Sequence, residues 1–435
     1  MNQGSRQFGL VTLVCTVVAG MIGSGVFTTS GYSLASLGSA PIVLLAWFVA
    51  GLIALCGAVA YGDLARQLPE SGGEYLYLSK RLHPLAGFVS GWISLTAGFS
   101  GPVALAAMTC ETYAAPLVPL PNSVPPHSIA ATIIILCGLG HSFLQMKTAK
   151  LQNAVVIVKL LGMGLFITVG SFWVSANGIQ WQPIAQAQPS NILYEFASSV
   201  MWISFSYAGF NQAVYIASEA ASPSVTVPKS LLLGTLATMI VYLLLNFLFL
   251  AGSASEEIAG QPEIATIASQ RMGGDRLELL IRIVIIIATF SSVASMIMTG
   301  PRVYSRMALD GVFPAAFRSD RNGLPRSVLL QTGISLFLVY WSTLLELLQY
   351  LGTTLALSSA LTVACLLLPT PADISKPRLP GLFAAVIYVA ATLSFAVMMT
   401  VLYPARILGT VITLVVGVLF WWFVRKPSDG VSSHP

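Results

Sequence analysis

Gly20-Met21-Ile22-Gly23-Ser24-Gly25-Val26-Phe27 is the stretch that decides the fold of this chain. It lies in the middle of an apolar segment, residues 8–35, that is long enough to cross a bilayer. Its closely spaced glycines weaken the helix at that point. An unwound backbone is tolerated at membrane depth only where it lines a cavity or is buried in protein. The stretch therefore predicts a helix broken in mid-membrane beside a small-molecule site.

The composition is that of a polytopic membrane protein. Of the 435 residues, 56% are hydrophobic and 9% are charged, whereas soluble domains carry roughly 25% charged residues. We predict an all-α membrane protein, a single transmembrane domain over residues 1–435, with about 12 spans of near-spanning length. The predicted spans are 8–35, 41–61, 84–113, 129–146, 151–174, 193–217, 230–252, 279–304, 328–345, 347–368, 381–402 and 407–424.

The basic residues indicate how the chain is oriented. If the N-terminus is inside, most of the 21 lysines and arginines fall in cytoplasmic segments. This asymmetry predicts a multi-pass protein of the inner (cytoplasmic) membrane with both termini in the cytoplasm. The net charge of +5 then reflects orientation, and no nucleic-acid partner is expected. The exceptions predicted to lie outside are Arg271, Arg276, Arg282 and Arg406.

A second soft centre interrupts the sixth predicted span. It reads Phe205-Ser206-Tyr207-Ala208-Gly209 and lies five spans after the first break. Because five is odd, a tandem copy of a five-helix unit must enter the membrane from the opposite side. Broken helices at corresponding positions of inverted halves indicate a midplane binding site. The predicted organisation is a first repeat (8–174), an inverted second repeat (191–368), helices 11 and 12 (381–424) and a disordered tail (427–435).

A broken helix exposes peptide groups that can bind a zwitterion. The new N-terminus presents the amides of Ser24, Gly25 and Val26, which suit a carboxylate. Carbonyl groups freed at the C-terminal ends suit an ammonium group. Together they fit an amino acid, although close helix packing through small residues is an open alternative for these glycines. The candidate carbonyl groups are those of Met21, Ile22, Phe205, Ser206 and Ala208.

Lys159 lies well inside the fifth predicted span, where ionisable residues are functional candidates. We expect its ammonium group to bond to freed carbonyls around Gly20 and to the hydroxyl of Ser291 or Ser292. Burial disfavours the charged form of a lysine. A lysine that loses and regains a proton here could couple transport to protons. A side chain that snorkels to the interface is the alternative.

The sequence offers little support for other classes of protein. No HExxH, GxSxG or GxxxxGK[ST] motif is present, which disfavours a polytopic membrane enzyme and an ATP-driven pump. An ion channel is disfavoured because no charge ring or repeated filter sequence is visible. We expect no catalytic residue, cofactor or metal. The five cysteines lie in apolar spans without a CxxC pair and predict no disulfide framework: Cys15, Cys56, Cys110, Cys137 and Cys365.

Ile22-Gly23-Ser24-Gly25-Val26-Phe27 resembles the first-helix signature of the amino acid–polyamine–organocation (APC) transporters. Stretches similar to later parts of that family follow in order. They are Leu68-Pro69-Glu70-Ser71-Gly72-Gly73-Glu74-Tyr75, Phe205-Ser206-Tyr207-Ala208-Gly209-Phe210, Glu219 with Val227-Pro228-Lys229-Ser230, and residues 302–314.

The resemblance implies the LeuT fold, a 5+5 inverted repeat with helices 1 and 6 unwound plus two C-terminal helices. It implies alternating access, a carboxylate site at Gly23, Ser24 and Gly25, and a gate at Phe205. Lys159 matches a fifth-helix lysine that takes the place of sodium in several members, which argues against sodium coupling. No cysteine lies between spans 3 and 4, so no obligate disulfide-linked subunit is expected.

We predict that the protein is a secondary active transporter, or permease, for amino acids. Its expected partners are the amino acid substrate and membrane lipid. A neutral substrate is expected because no Asp or Glu is predicted at mid-membrane to pair with a cationic side chain. Proton coupling and exchange are both open. The predicted substrate-binding residues are Met21, Ile22, Gly23, Ser24, Gly25, Val26, Phe205, Ser206, Ala208 and Gly209. The predicted coupling residues are Lys159, Gly20, Ser291 and Ser292.

Overall fold

The apolar segments of the sequence fold as helices, which satisfy their backbone groups internally as lipid requires. The computed structural model describes residues 8–119, 121, 123–143, 149–182, 184, 191–318, 323–372 and 374–424; the predicted tail at 427–435 lies outside them. The α-helices are α1 (Leu10–Met21), α2 (Gly25–Leu37), α3 (Ala40–Gln67), α4 (Gly73–Arg81), α5 (Pro84–Ile93), α6 (Gly101–Ala114), α7 (Ser128–Phe143), α8 (Ala149–Asn177), α9 (Ile192–Tyr207), α10 (Pro223–Ala251), α11 (Ser255–Ile258), α12 (Ile264–Leu309), α13 (Gly323–Trp341), α14 (Leu344–Ala364), α15 (Leu379–Leu402) and α16 (Leu408–Val424).

The all-helical membrane architecture is confirmed, but the predicted number of spans is not. Within the described residues, 8 helices are long and apolar enough to cross a membrane, or up to 9 if the bent α1–α2 pair is one span. Within the described residues, each of the predicted spans coincides with a helix or a broken pair of helices. The shortfall from twelve arises partly because α7 and α9 have only 16 residues each.

Several spans depart from a straight α-helix. α1 and α2 differ in direction by 43°. α9 ends at Tyr207, and after a turn the chain continues as a 3₁₀ helix, Gln212–Glu219. The span made by α5 and α6 contains a π-helical stretch, Ser94–Ser100, a feature often found at functional sites. α12 is interrupted at Gly274, where φ is 63° and ψ is −163°.

Buried apolar side chains form two large clusters. The first core joins α1, α2, α3 and α10 with neighbouring parts of α8, α9, α12 and α15. The second core joins α5, α6, α7 and α13 with the C-terminal part of α12. α14 contributes to both, with Leu351 in the second core and Val363 in the first. We call the helices of these cores the first group and the second group.

The boundary between the ninth and tenth spans is set by a helix cap. The Thr343 side chain accepts a hydrogen bond from the Glu346 amide, and the Glu346 side chain accepts one from the Thr343 amide. This reciprocal capping box starts α14. The sequence placed the boundary near residue 346, a few residues too late, because the two apolar runs are nearly continuous.

Candidate functional site

The first break leaves amide groups without acceptors. α1 ends with the Ile22 amide donating to Val18 O at 3.0 Å, and α2 starts at Gly25. Ser24 occupies the N-cap position of α2, but its side chain makes no capping hydrogen bond. Within the described part of the chain, the hydrogen bonds give no acceptor to the amides of Ser24, Gly25 and Val26. A helix start of this kind attracts an anion.

The two breaks lie against each other. A Cβ atom added at Gly25 would stand 2.4 Å from Ser206 Oγ, so only glycine allows this approach. Gly209 has φ of 98°, and a Cβ atom there would stand 2.7 Å from Gly20 O. The glycines predicted to unwind the helices therefore also let the two unwound stretches touch. Both interpretations of these glycines, a binding site and close helix packing, apply to the same residues.

A cavity of about 550 Å³ adjoins both breaks. This volume is within the range of small-molecule sites. Among the predicted site residues, Ile22 and Val26 do not line it, because their side chains are buried in the first core. The predicted residues that do line it are Gly20, Met21, Gly23, Ser24, Gly25, Lys159, Phe205, Ser206, Ala208, Gly209, Ser291 and Ser292.

The cavity extends toward the beginning of α1. Val11, Thr12 and Cys15 line it, so it follows α1 to its start. Gly31 of α2 does not line it, and there the Gly260 amide donates to Gly31 O at 2.7 Å and holds the loop after α11 against α2. The cavity therefore reaches the end of the molecule at which α1 begins.

Tyr242 of α10 joins the two breaks and is absent from the sequence prediction. Its hydroxyl lies 2.6 Å from Met21 O and 3.0 Å from Ser206 O, so its one proton is shared between carbonyl groups of both broken helices. These carbonyls, predicted to be free, are thus already paired. A tyrosine in an apolar span does indicate a hydrogen bond, because a buried hydroxyl requires a partner. The sequence could not identify that partner, because the nearer of the two carbonyl groups is more than thirty residues away along the chain.

Lys159 holds the first break by one of its carbonyl groups. Its Nζ donates to Ile22 O at 2.7 Å, and its side chain is 3% exposed. The snorkelling alternative is therefore wrong for this conformation. The expected hydrogen bonds to Ser291 and Ser292 are not among the hydrogen bonds of the described residues, where both hydroxyls donate to Ala288 O within α12.

The ring of Phe205 contacts the second core, although its helix contributes mainly to the first. It belongs to α9, yet its half-buried ring packs against the second core. The Phe205 carbonyl, predicted to be free, accepts the Ala208 amide at 2.9 Å. The ring, and not the peptide group, is therefore the part of Phe205 available to a ligand.

Glu74 is a buried carboxylate that is absent from the site residues predicted from the sequence. It lies in the first turn of α4, is 6% exposed and lines the cavity. The sequence predicted no acidic residue at mid-membrane, and Glu74 nevertheless contributes a carboxyl group to the lining of the cavity. The carboxylate accepts hydrogen bonds from several hydroxyl groups, so its oxygens are already occupied.

Tyr75, the next residue, donates a hydrogen bond to Asp310. Burial and the Asp310 carboxylate together raise the pKa of Tyr75.

Two broken membrane helices whose peptide groups face one cavity define a carrier of small solutes. A model of the amino acid permease family matches residues 8–425, so the chain belongs to the amino acid permease family. The resemblance to APC transporters is thereby confirmed, as is the prediction of a transporter rather than an enzyme.

Individual relatives bear names consistent with this family. The large neutral amino acids transporter small subunit 2 of Mus musculus is 26% identical over 401 residues, 88% of this chain and 74% of the relative. The Asc-type amino acid transporter 1 of Mus musculus is 22% identical over 71% of this chain and 59% of its own length. The serine/threonine exchanger SteT of Bacillus subtilis (strain 168) is 25% identical over 71% of this chain and 69% of its own length.

Proposed function

We propose that this protein is a secondary active transporter that moves neutral amino acids by alternating access. The observation that carries the proposal is the unpaired amide run Ser24–Val26 beside a cavity shared by two broken helices. A carboxylate bound there would satisfy the amides and the positive end of α2. The amide of Gly23 and the hydroxyl of Ser24 complete the proposed carboxylate pocket.

The proposed ammonium site lies at the ends of α1 and α9. Met21 O and Ser206 O each accept from Tyr242, but a carbonyl oxygen has two lone pairs and can accept a second donor. Ala208 and Gly209 border this point in the second break. Phe205 closes over the bound amino acid as a gate, since its ring reaches the second core.

A neutral side chain fits the charges around the cavity. Lys159 and Glu74 are the charged residues among the described lining, and both are engaged in hydrogen bonds. The names of two relatives given above refer to neutral amino acids: one to large neutral amino acids and the other to serine and threonine. Counterflow of radiolabelled amino acids in proteoliposomes tests the proposal. We expect saturable exchange of neutral amino acids, and preference for arginine or glutamate would refute it.

We propose that Lys159 couples transport to protons, with Gly20, Ser291 and Ser292 lining the same part of the cavity. Its only hydrogen bond within the described structure is to the first break, so proton loss would weaken the hold on Ile22 O by removing the charge of the donor. We predict that Lys159→Ala folds but loses the pH dependence of transport. Initial rates measured from about pH 5 to about pH 9 provide the measurement, because burial shifts the titration of lysines toward this range. An unchanged pH profile would leave exchange as the mode of transport.

We propose that the protein lies in the inner (cytoplasmic) membrane with both termini in the cytoplasm. The excess of lysine and arginine in alternate loops supports it. The cavity of this conformation would then face inward. A reporter fused to the C-terminus, active only in the cytoplasm, tests the topology, and periplasmic activity would reverse it.

The domain organisation is likewise a proposal. Residues 8–174 and 191–368 form two inverted five-helix repeats, and 381–424 adds two helices. The breaks at the start of each unit support this division. In an experimental structure the two units should superpose after a half-turn about an axis in the membrane plane; superposition without inversion would contradict the repeat.

We further propose that no disulfide-linked subunit is obligatory. Support comes from the cysteines, all of which lie within helices, with three of them buried: Cys110, Cys137 and Cys365. Non-reducing electrophoresis of protein from native membranes tests this, and a larger species that disappears on reduction would contradict it.

A further inference from the structure

Glu74 accepts hydrogen bonds from both helix groups. From the first group, Asn211 Nδ2 lies 3.3 Å from Glu74 Oε1, and the Tyr61 hydroxyl also donates to that oxygen. From the second group, Ser90 Oγ lies 3.5 Å from Oε2. One carboxylate thereby connects helices whose apolar cores are separate.

α14 supplies the remaining donors. Ser358 donates to Oε2 at 2.9 Å, and Ser359 donates to Oε1 at 2.8 Å. A carboxylate with this many hydroxyl and amide donors is stabilised without a basic partner. Because both of its oxygens already accept hydrogen bonds from the protein, Glu74 is suited to holding helices together rather than to binding a charged solute.

The loop that carries Glu74 is docked along the second broken helix. Ser71 Oγ lies 2.5 Å from Ser218 Oγ and accepts the Ser218 amide at 3.0 Å. Further along, a Cβ atom at Gly73 would stand 2.3 Å from the Tyr215 ring, so the backbone there touches the 3₁₀ helix. These contacts, together with Glu74–Asn211, fix the loop to the segment that follows the break.

The opposite side of α4 is fixed to the second group. The Tyr75 hydroxyl donates to Asp310 Oδ2 at 3.0 Å, directly after α12. The loop and α4 therefore connect the two groups, and the buried carboxylate of Glu74 lies where they meet. In alternating access the groups move relative to one another, so bonds from one carboxylate to both cannot all persist.

We propose that Glu74 is a positioning residue that latches the two helix groups in the conformation whose cavity opens toward the start of α1. The latch releases when the cavity turns to the other side. This inference rests on the proposed transport function for its meaning, but its test requires no substrate.

Cys15 provides the readout because it is the exposed cysteine that lines this cavity. The purified protein is treated in detergent with a charged thiol reagent, and a Cys15→Ala variant gives the background from the other cysteines. If the latch favours this conformation, Glu74→Gln should label at least about threefold more slowly, because the open population falls. Labelling as fast as in the unchanged protein, or faster, would overturn the proposal.

Glu70→Gln is the matched control. Glu70 lies on the same loop, and its exposed carboxylate pairs with Lys80 at 2.7 Å on the surface. This variant should label at the original rate. If Glu74→Gln does not fold, the Ser358→Ala/Ser359→Ala variant removes two donors and should slow labelling in the same direction; an unchanged rate there would overturn the latch.

Counterflow measured in parallel separates the two proposals. Slower labelling of Glu74→Gln with no amino acid counterflow by the unchanged protein would retain the latch and reject the proposed function. Counterflow together with unaltered Cys15 labelling would retain the function and reject the latch.

Discussion

Tyr242 connects the two breaks through one hydroxyl group. Its hydroxyl is shared between Met21 O and Ser206 O. We predict that Tyr242→Phe weakens substrate binding by about 0.5–1.5 kcal/mol, the usual contribution of one hydrogen bond, because the two carbonyl groups are no longer held in position relative to each other. Isothermal titration with the transported amino acid provides the measurement.

Tyr77→Phe is the control for Tyr242→Phe. The Tyr77 hydroxyl is buried without a hydrogen-bond partner in the described structure, so its removal leaves no group unpaired. Binding by this variant should equal that of the unchanged protein. Equal affinities for the Tyr242→Phe and Tyr77→Phe variants would show that the shared hydroxyl does not hold the site.

Gly25 tests the contact between the breaks. Gly25→Ala would place a methyl group within 2.4 Å of Ser206 Oγ and separate the two stretches. We predict a loss of counterflow of about tenfold or more, because small displacements at a binding site are costly. Gly164→Ala, in open space on α8, should leave the rate unchanged. Comparable rates in both variants would contradict the argument.

At the residue scale, the sequence predicted groups that act locally. The Ser24–Val26 amides could be inferred because adjacent glycines and a helix restart produce them. Tyr242 and Glu74 could not, because their partners come from distant parts of the chain. The same reason explains the wrong partners for Lys159: a lysine in a span requires acceptors, but the sequence does not say which carbonyl lies nearest.

The helix cap at Thr343 is the element whose stability can be tested independently of transport. Thr343→Ala removes the side-chain acceptor for the Glu346 amide. We predict a loss of about 1 kcal/mol of unfolding free energy, typical of N-cap removal. Reversible denaturation in detergent provides the measurement. Thr168→Ala, whose exposed hydroxyl bonds within α8, is the control, and an equal effect would contradict a capping role.

At the element scale, apolar length and glycine content predicted most helices and both breaks. The sequence missed the π-helical stretch Ser94–Ser100, because a single extra residue per turn leaves no compositional mark. It also misjudged the start of α14, although the Thr343…Glu346 spacing is a recognisable capping box. The signal was present there but was outweighed by continuous hydrophobicity.

At the scale of the whole molecule, two separate apolar cores flank one cavity. Alternating access requires helix groups that move relative to one another, and a division into two cores agrees with that requirement. Hydropathy alone could not assign helices to the groups, because lipid-facing and core-facing positions are both apolar. The family match over residues 8–425 agrees with the fold, while the site rests on the geometry of the breaks.

In the proposed transporter, peptide groups of two broken helices bind the amino acid. An experimental structure of the protein with a transported neutral amino acid is the decisive measurement. We predict carboxylate oxygens about 3 Å from the amides of Ser24, Gly25 and Val26, the normal hydrogen-bond distance. We also predict the ammonium group beside Met21 O and Ser206 O. A substrate bound elsewhere, or continuous helices through residues 20–27 and 205–211, would contradict it.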